Sequence, residues 1–143
     1  MEATQARRFA EEVTTGDIRK HWSWVRPGIE EIINSQKQLT IIPEDVYAEC
    51  VAGRAILWVG PEAWAITTTE VDPFTKDQTC LIWLMWSSGK YSPATFKYLF
   101  GLEKLAIESG YKAIEARTPL KGLGKCLVRA GWSLDQVVYR KEL

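Results

Sequence analysis

Among the stretches whose residue types could do chemistry, WSSGKYSPATF at residues 86–96 is the most suggestive. It joins the apolar run LIWLMW to an amphipathic segment. A strand-to-helix connection of this kind binds phosphate when N–H groups at the helix start point at the anion and small residues allow close approach. Here Gly89 stands several residues before the helix, and Pro93, Ala94 and Phe96 fill its entrance. The loop therefore reads either as a worn phosphate-binding loop or as a plain connection. Proton-transfer candidates are sparse. Glu62, Glu70 and Glu115 fall on or beside strand-like segments, where a carboxylate can serve as a general base. Glu115 shares a strand face with Arg117, two residues on, which reads as a structural ion pair. His21 is the sole histidine and lies in the Trp-rich stretch HWSW, a packing or capping position. Without it no Ser-His-Asp or Cys-His arrangement can be assembled.

Cys50, Cys80 and Cys126 are odd in number and lack metal-ligand spacing, so they read as small buried hydrophobes in a reducing compartment. Eighteen basic and eighteen acidic side chains cancel, leaving no overall field for nucleic acid or an acidic membrane. The first residues, MEATQARRFAEE, contain no apolar core of a secretory signal, and the longest apolar run, Leu81 to Trp86, is too short to span a bilayer. A cytoplasmic protein is expected. Seven Trp in 143 residues point either to a thick core or to a sticky surface patch.

These residues need elements to position them. No repeat, linker or low-complexity segment interrupts the chain, so residues 1–143 are expected to form one domain. RRFAEEVTT (7–15) suggests a first strand, with Gly16 and Asp17 as turn and helix start. Ile18, Trp22, Val25, Ile29, Ile32 and Ile33 recur at helical intervals, and Pro27 suggests two helices meeting near Arg26. PEDVYAECVAG (43–53) predicts a short helix. AILWVG, AWAITTTEV and TCLIWLMW predict three consecutive antiparallel strands, with GPE (60–62) and DPFTKDQ (72–78) as connections. ATFKYLFGLEKLAIESGY predicts a helix stopped at Gly110, AIEAR (113–117) a strand, LKGLGKCLVRAGW a helix ended by Gly131, and QVVYRKEL a closing strand. The expected fold is α/β in the α+β sense: a mixed, mostly antiparallel sheet with helices on both faces.

That order resembles the GNAT superfamily of N-acetyltransferases, most clearly over residues 50–143. The matching run is a long helix ending Ala106 to Gly110, then AIEAR, then Gly131-Trp132, then VVYRKEL. HWSWVRPGIEEIINSQ followed by IPEDVYAECVAGRAILWV further resembles small acetyltransferase-like proteins of tailed phages, relatives of an internal virion protein of short-tailed phages. The resemblance implies acetyl-CoA bound by Q/R-x-x-G-x-G/A between the fourth strand and the long helix, with the pantetheine arm in a splay between the fourth and fifth strands. Counting back from Ala106 and Gly110 puts YSPATF on that motif, with Tyr91, Ala94 and Phe96 at its long polar and two small positions. An alternative register promotes Ser87, Ser88, Gly89 and Lys90. The candidate cofactor-binding residues are therefore Met85, Trp86, Ser87, Ser88, Gly89, Lys90, Ala94, Thr95 and Phe96. Leu127 stands where many relatives carry a Tyr that protonates the leaving thiolate, and neighbouring Cys126 faces another way on the helix. No catalytic residue is named. Two functions follow: a non-catalytic virion or host-interaction protein with a phage or host protein partner, or an acetyl-CoA-dependent N-acetyltransferase acting on an amine. Self-association into a homo-oligomer is compatible with either.

Overall fold

A computed structural model of the chain describes residues 13–89, 92–118 and 120–143. The elements are β1 (Thr14–Gly16), α1 (Ile18–Ser35), α2 (Pro43–Val51), β2 (Ile56–Val59), β3 (Ala63–Val71), β4 (Gln78–Ser87), α3 (Pro93–Glu108), β5 (Ala113–Ala116) and α4 (Lys121–Arg129). The strands form one sheet in chain order, β1-β2-β3-β4-β5. β1 to β4 are antiparallel neighbours, and β5 joins β4 in parallel after the α3 crossover. The mixed α+β architecture expected from the sequence is the one observed.

Each face of the sheet carries two helices. Ile18, Val25 and Ile29 of α1 and Val46 of α2 pack on Leu57, Trp64, Ile66 and Leu84. Tyr98, Leu99 and Leu102 of α3 and Leu127 of α4 pack on Trp58, Ala65 and Ile82. The local signals behind these helices are physical. Asp17 accepts the Arg19 N–H at 3.0 Å and caps α1, while Asp45 accepts the Ile42 N–H at 3.0 Å at the start of α2. Gly53, Gly110 and Gly131 end α2, α3 and α4 with φ of +78°, +88° and +93°. All seven Trp are buried or half-buried, so the thick-core reading holds and the Trp surface patch does not.

Three expectations are corrected or displaced. α1 runs unbroken through Pro27, where two helices were expected. Pro27 and Ser23 are both exposed, so the carbonyl that loses its helical donor faces water, while the buried stripe of Ile18, Val25 and Ile29 continues on the other side. QVVYRKEL is not a strand: residues 133–143 carry no regular structure and are exposed. Alternation alone does not make a strand when no ladder partner lies alongside. Most of the first expected strand, 7–15, lies outside the described residues, and its described end begins β1. Among the described residues no helix is long and apolar enough to cross a membrane, and no cluster could hold a metal ion.

Candidate functional site: the β4–α3 loop and the β4/β5 splay

β4 and β5 pair only from Thr79↔Ala113 to Ile82↔Ala116. Beyond that point β5 ends, whereas β4 continues to Ser87 paired with β3 alone. From Trp83 to Ser87 one side of the β4 backbone thus has no ladder partner among the described residues. The loop after β4 and the N-terminus of α3 stand at the head of this stretch.

That loop is closed on itself. The Gly89 carbonyl accepts the Ser92 N–H at 3.2 Å, the Thr95 hydroxyl at 2.8 Å and the Ser87 hydroxyl at 3.2 Å. Ser87 and Thr95 hydroxyls are also 2.8 Å apart. Thr95 and Phe96 N–H groups fold back on the Ser92 carbonyl at 3.0 and 3.3 Å, and Pro93 contributes no N–H. The Gly89 carbonyl thus lies beside the helix start, bonded to the N–H of the N-cap residue Ser92 and to the Thr95 hydroxyl. Thr95 is 2% exposed, so its hydroxyl is held in this knot and shielded from water. The Ser88 N–H is used too, donating to the Glu62 carbonyl at 3.0 Å.

Of the sequence-derived candidates, Ser87, Gly89 and Thr95 come together here, with half-buried Ala94 and Phe96 in the first turn of α3. Ser88 is exposed. Met85 packs into the α3/α4 cluster. Trp86 goes to the other face, where its indole donates to Glu31 at 2.9 Å beneath α1. Lys90, with Tyr91, lies outside the described residues. Ser92 was missed as a member of the knot, although Ser followed by Pro is a recognisable helix-start signal. Tyr98 carries no expectation from the sequence. It is 1% exposed and donates its hydroxyl to the Trp58 carbonyl at 2.8 Å, tying α3 to the sheet just behind the loop.

Two of the acid–base candidates, Glu70 and Glu115, are occupied, whereas the exposed Glu62 carboxylate bonds no described side chain. Arg117 bonds Glu70 at 2.8 Å and Glu115 at 3.4 Å, the structural ion pairing expected for that strand face. His21 accepts the Trp24 indole N–H through Nδ1 at 3.1 Å, a packing role. Leu127, which has no proton to donate, is buried in the α3/α4 core. Burial holds the Cys80 and Cys126 thiols above their ordinary range. A cavity of about 340 Å³ lies at the opposite sheet edge, lined by Gly16, Asp17, Arg19, Cys50 and Leu57 among others, four strands from β5. The Cys50 thiol there is pushed up to about 11 by burial and, secondarily, by the Glu49 charge. It is expected to react with a disulfide reagent at pH 8 roughly a hundredfold more slowly in the native protein than in urea. A native rate within a few-fold of the unfolded one would show that the thiol is not so shielded.

No protein-family model and no curated protein sequence matches the chain. Solved structures do. A probable acetyltransferase superposes with a TM-score of 0.70 at 10% identity, covering 92% of this chain and 95% of its own. The chain has the acetyltransferase fold. An aminoglycoside acetyltransferase from an uncultured soil metagenomic sample, in complex with sisomicin, gives a TM-score of 0.66 at 9% identity over 93% of this chain and 97% of its own. An aminoglycoside N-acetyltransferase in complex with CoA gives 0.63 at 8% identity over 92% and 98%. With this fold the cofactor to test against the site is acetyl-CoA. The splay suits a pantetheine arm, because the free side of Trp83–Ser87 offers strand backbone. The pyrophosphate does not fit: the Gly89 carbonyl faces the helix start, Pro93 removes a donor and Phe96 stands where the resemblance implies a small residue.

Proposed function

We propose that this chain is a non-catalytic interaction protein built on the acetyltransferase fold. The observation that carries this reading is the self-satisfied loop, in which Ser87, Ser92 and Thr95 all donate to the Gly89 carbonyl. An anion there would have to displace an internal acceptor and meet a carbonyl oxygen instead of N–H donors. Leu127 in the acid position and carboxylates tied to Arg117 support the same reading. The resemblance of HWSWVRPGIEEIINSQ to tailed-phage acetyltransferase-like proteins supplies the setting: a virion component, or a protein that engages a host protein in the bacterial cytoplasm.

One observation favours a second reading. β4 runs on past the end of β5, and in an acetyl-CoA-dependent N-acetyltransferase Met85–Lys90 and Ala94–Phe96 would hold the cofactor while an amine on a small molecule or protein accepts the acetyl group. Calorimetric titration with acetyl-CoA and with CoA separates the two. The expected result is no heat of binding at millimolar ligand for the wild-type chain. Micromolar binding by the wild-type chain would overturn the non-catalytic proposal and make the acceptor amine the next question.

A further inference from the structure

The end of the sheet where β3 turns into β4 carries both a knob and a hole. The knob is Phe74 at the tip of the β3–β4 hairpin, 91% exposed, with Pro73 and Val71 also open to water. The turn that carries it is tightly ordered. The Asp72 carboxylate accepts the Phe74 and Thr75 N–H groups at 2.8 and 3.0 Å. The Asp72 N–H bonds the Asp77 carbonyl and the Lys76 N–H bonds the Asp72 carbonyl, both at 2.9 Å. Lys76 takes a φ of +66°, a left-handed backbone that a side chain adopts only at a cost. A turn so ordered, with a phenyl ring left in water at its tip, is a preorganised anchor.

The hole is the cavity of about 340 Å³ at the β1 edge. Ile18, Val51, Ile56 and Leu57 give it apolar walls, and Cys50 and Arg19 also line it. An apolar cavity of about 150 Å³ is enough to take up benzene, so a phenyl ring fits here with room for its Cβ. Knob and hole lie at the same end of the sheet. Gly16 pairs with Leu57 and Ile56 with Thr67, so the cavity sits where β1 ends and β2 begins. Thr68 to Val71 carry the hairpin past that level by roughly 13 Å, while β1 and β3 stand about 10 Å apart.

We infer that two copies of this chain pair through this end, Phe74 of each entering the β1-edge cavity of the other about a two-fold axis. An isologous interface needs both complementary surfaces on one chain, at places that a single rotation can exchange. A knob and a hole at one end of one sheet meet that need. The charges agree with it. Around the tip Glu70, Asp72 and Asp77 outnumber Lys76, whereas Arg19 lines the cavity with its guanidinium largely in water. Arg19 bonds Asp17 through Nε and one terminal nitrogen, and keeps further N–H donors for a carboxylate arriving with the tip. Asp72 arrives two residues before Phe74, and both of its backbone bonds fall on Oδ1. The contact is separate from the β4–α3 loop, which lies at the far end of the ten-residue β4, so it holds whether or not that loop binds a ligand.

Sedimentation velocity over a roughly hundredfold range of protein concentration tests the pairing, with Phe74→Ala as the companion variant. The wild-type chain is expected to dimerise. Phe74→Ala is expected to weaken the dimer at least about thirtyfold, the loss typical of an aromatic anchor. Its circular dichroism spectrum is expected to be unchanged, since the ring lies in water in the single chain. The native Cys50 supplies a second readout. Phe74→Cys, oxidised slowly at pH 9 and high protein concentration to allow for the shielded Cys50 thiol, is expected to give a covalent dimer on a denaturing gel. Phe74→Cys/Cys50→Ser is expected to give none. A wild-type chain that stays monomeric overturns the proposal. So does a dimer indifferent to Phe74→Ala, a crosslink that survives Cys50→Ser, or a disulfide closed within one chain.

Discussion

Trp64→Ala is expected to lower the free energy of unfolding in urea by about 3–5 kcal/mol. Trp64 is 0% exposed at the centre of the α1/α2 face, in one cluster with Ile29, Ile66 and Leu84. Removing the indole deletes the apolar surface that α1 covers and leaves a void too deep for the sheet to collapse into. The loss is roughly a third or more of the stability typical of a domain. Trp64→Phe makes the test sharper. The indole N–H has no acceptor among the described residues, and a buried orphan donor costs about 1–3 kcal/mol. Phenylalanine removes that donor while retaining a ring, so its loss is expected to stay below about 2 kcal/mol. A Trp64→Ala loss under about 1 kcal/mol would show that the α1 face is not held through this residue.

Gly28→Leu is expected to cost about 3 kcal/mol, and even Gly28→Ala is expected to destabilise. In most exposed helices glycine to alanine gains about 1 kcal/mol. Here the sign reverses, because a β-carbon at Gly28 would stand 2.8 Å from Cζ2 of Trp64 and 3.0 Å from Cγ of Trp86. Neither ring can yield freely: Trp64 is fully buried, and the Trp86 indole is bonded to Glu31. Equilibrium denaturation of Gly28→Ala alone and with Trp64→Phe measures the coupling. The double variant is expected to lose less than the sum of the two, since the smaller ring gives the new methyl room. Strict additivity would place the strain elsewhere.

These two residues also mark where sequence reasoning stops. Trp64 sits in a strand-like run, and its burial is a fair inference from pattern. Gly28 follows Pro27 in what reads locally as a broken helix, and only the approach of two rings from strands 36 and 58 residues later explains why a glycine is needed there. Pro27 misleads for the same reason: a proline tolerates a continuous helix when its orphaned carbonyl faces solvent, and that orientation is set by packing.

The periods of the apolar residues determined the helices, the three-strand meander and the β-α-β crossover, because burial of one face is enough to set each period. Glycine stops at 53, 110 and 131 were legible because only a left-handed backbone accounts for them. The demanding positions Pro93, Phe96 and Leu127 were also visible as residue types. What the sequence could not supply was direction. That the Gly89 carbonyl turns into the start of α3, that Trp86 leaves the loop for the α1 face, and that Val137–Tyr139 find no partner strand all depend on contacts between distant segments. Hydrogen bonds and ladder pairings are satisfied by whatever the fold brings within about 3 Å, and spacing along a chain does not encode that.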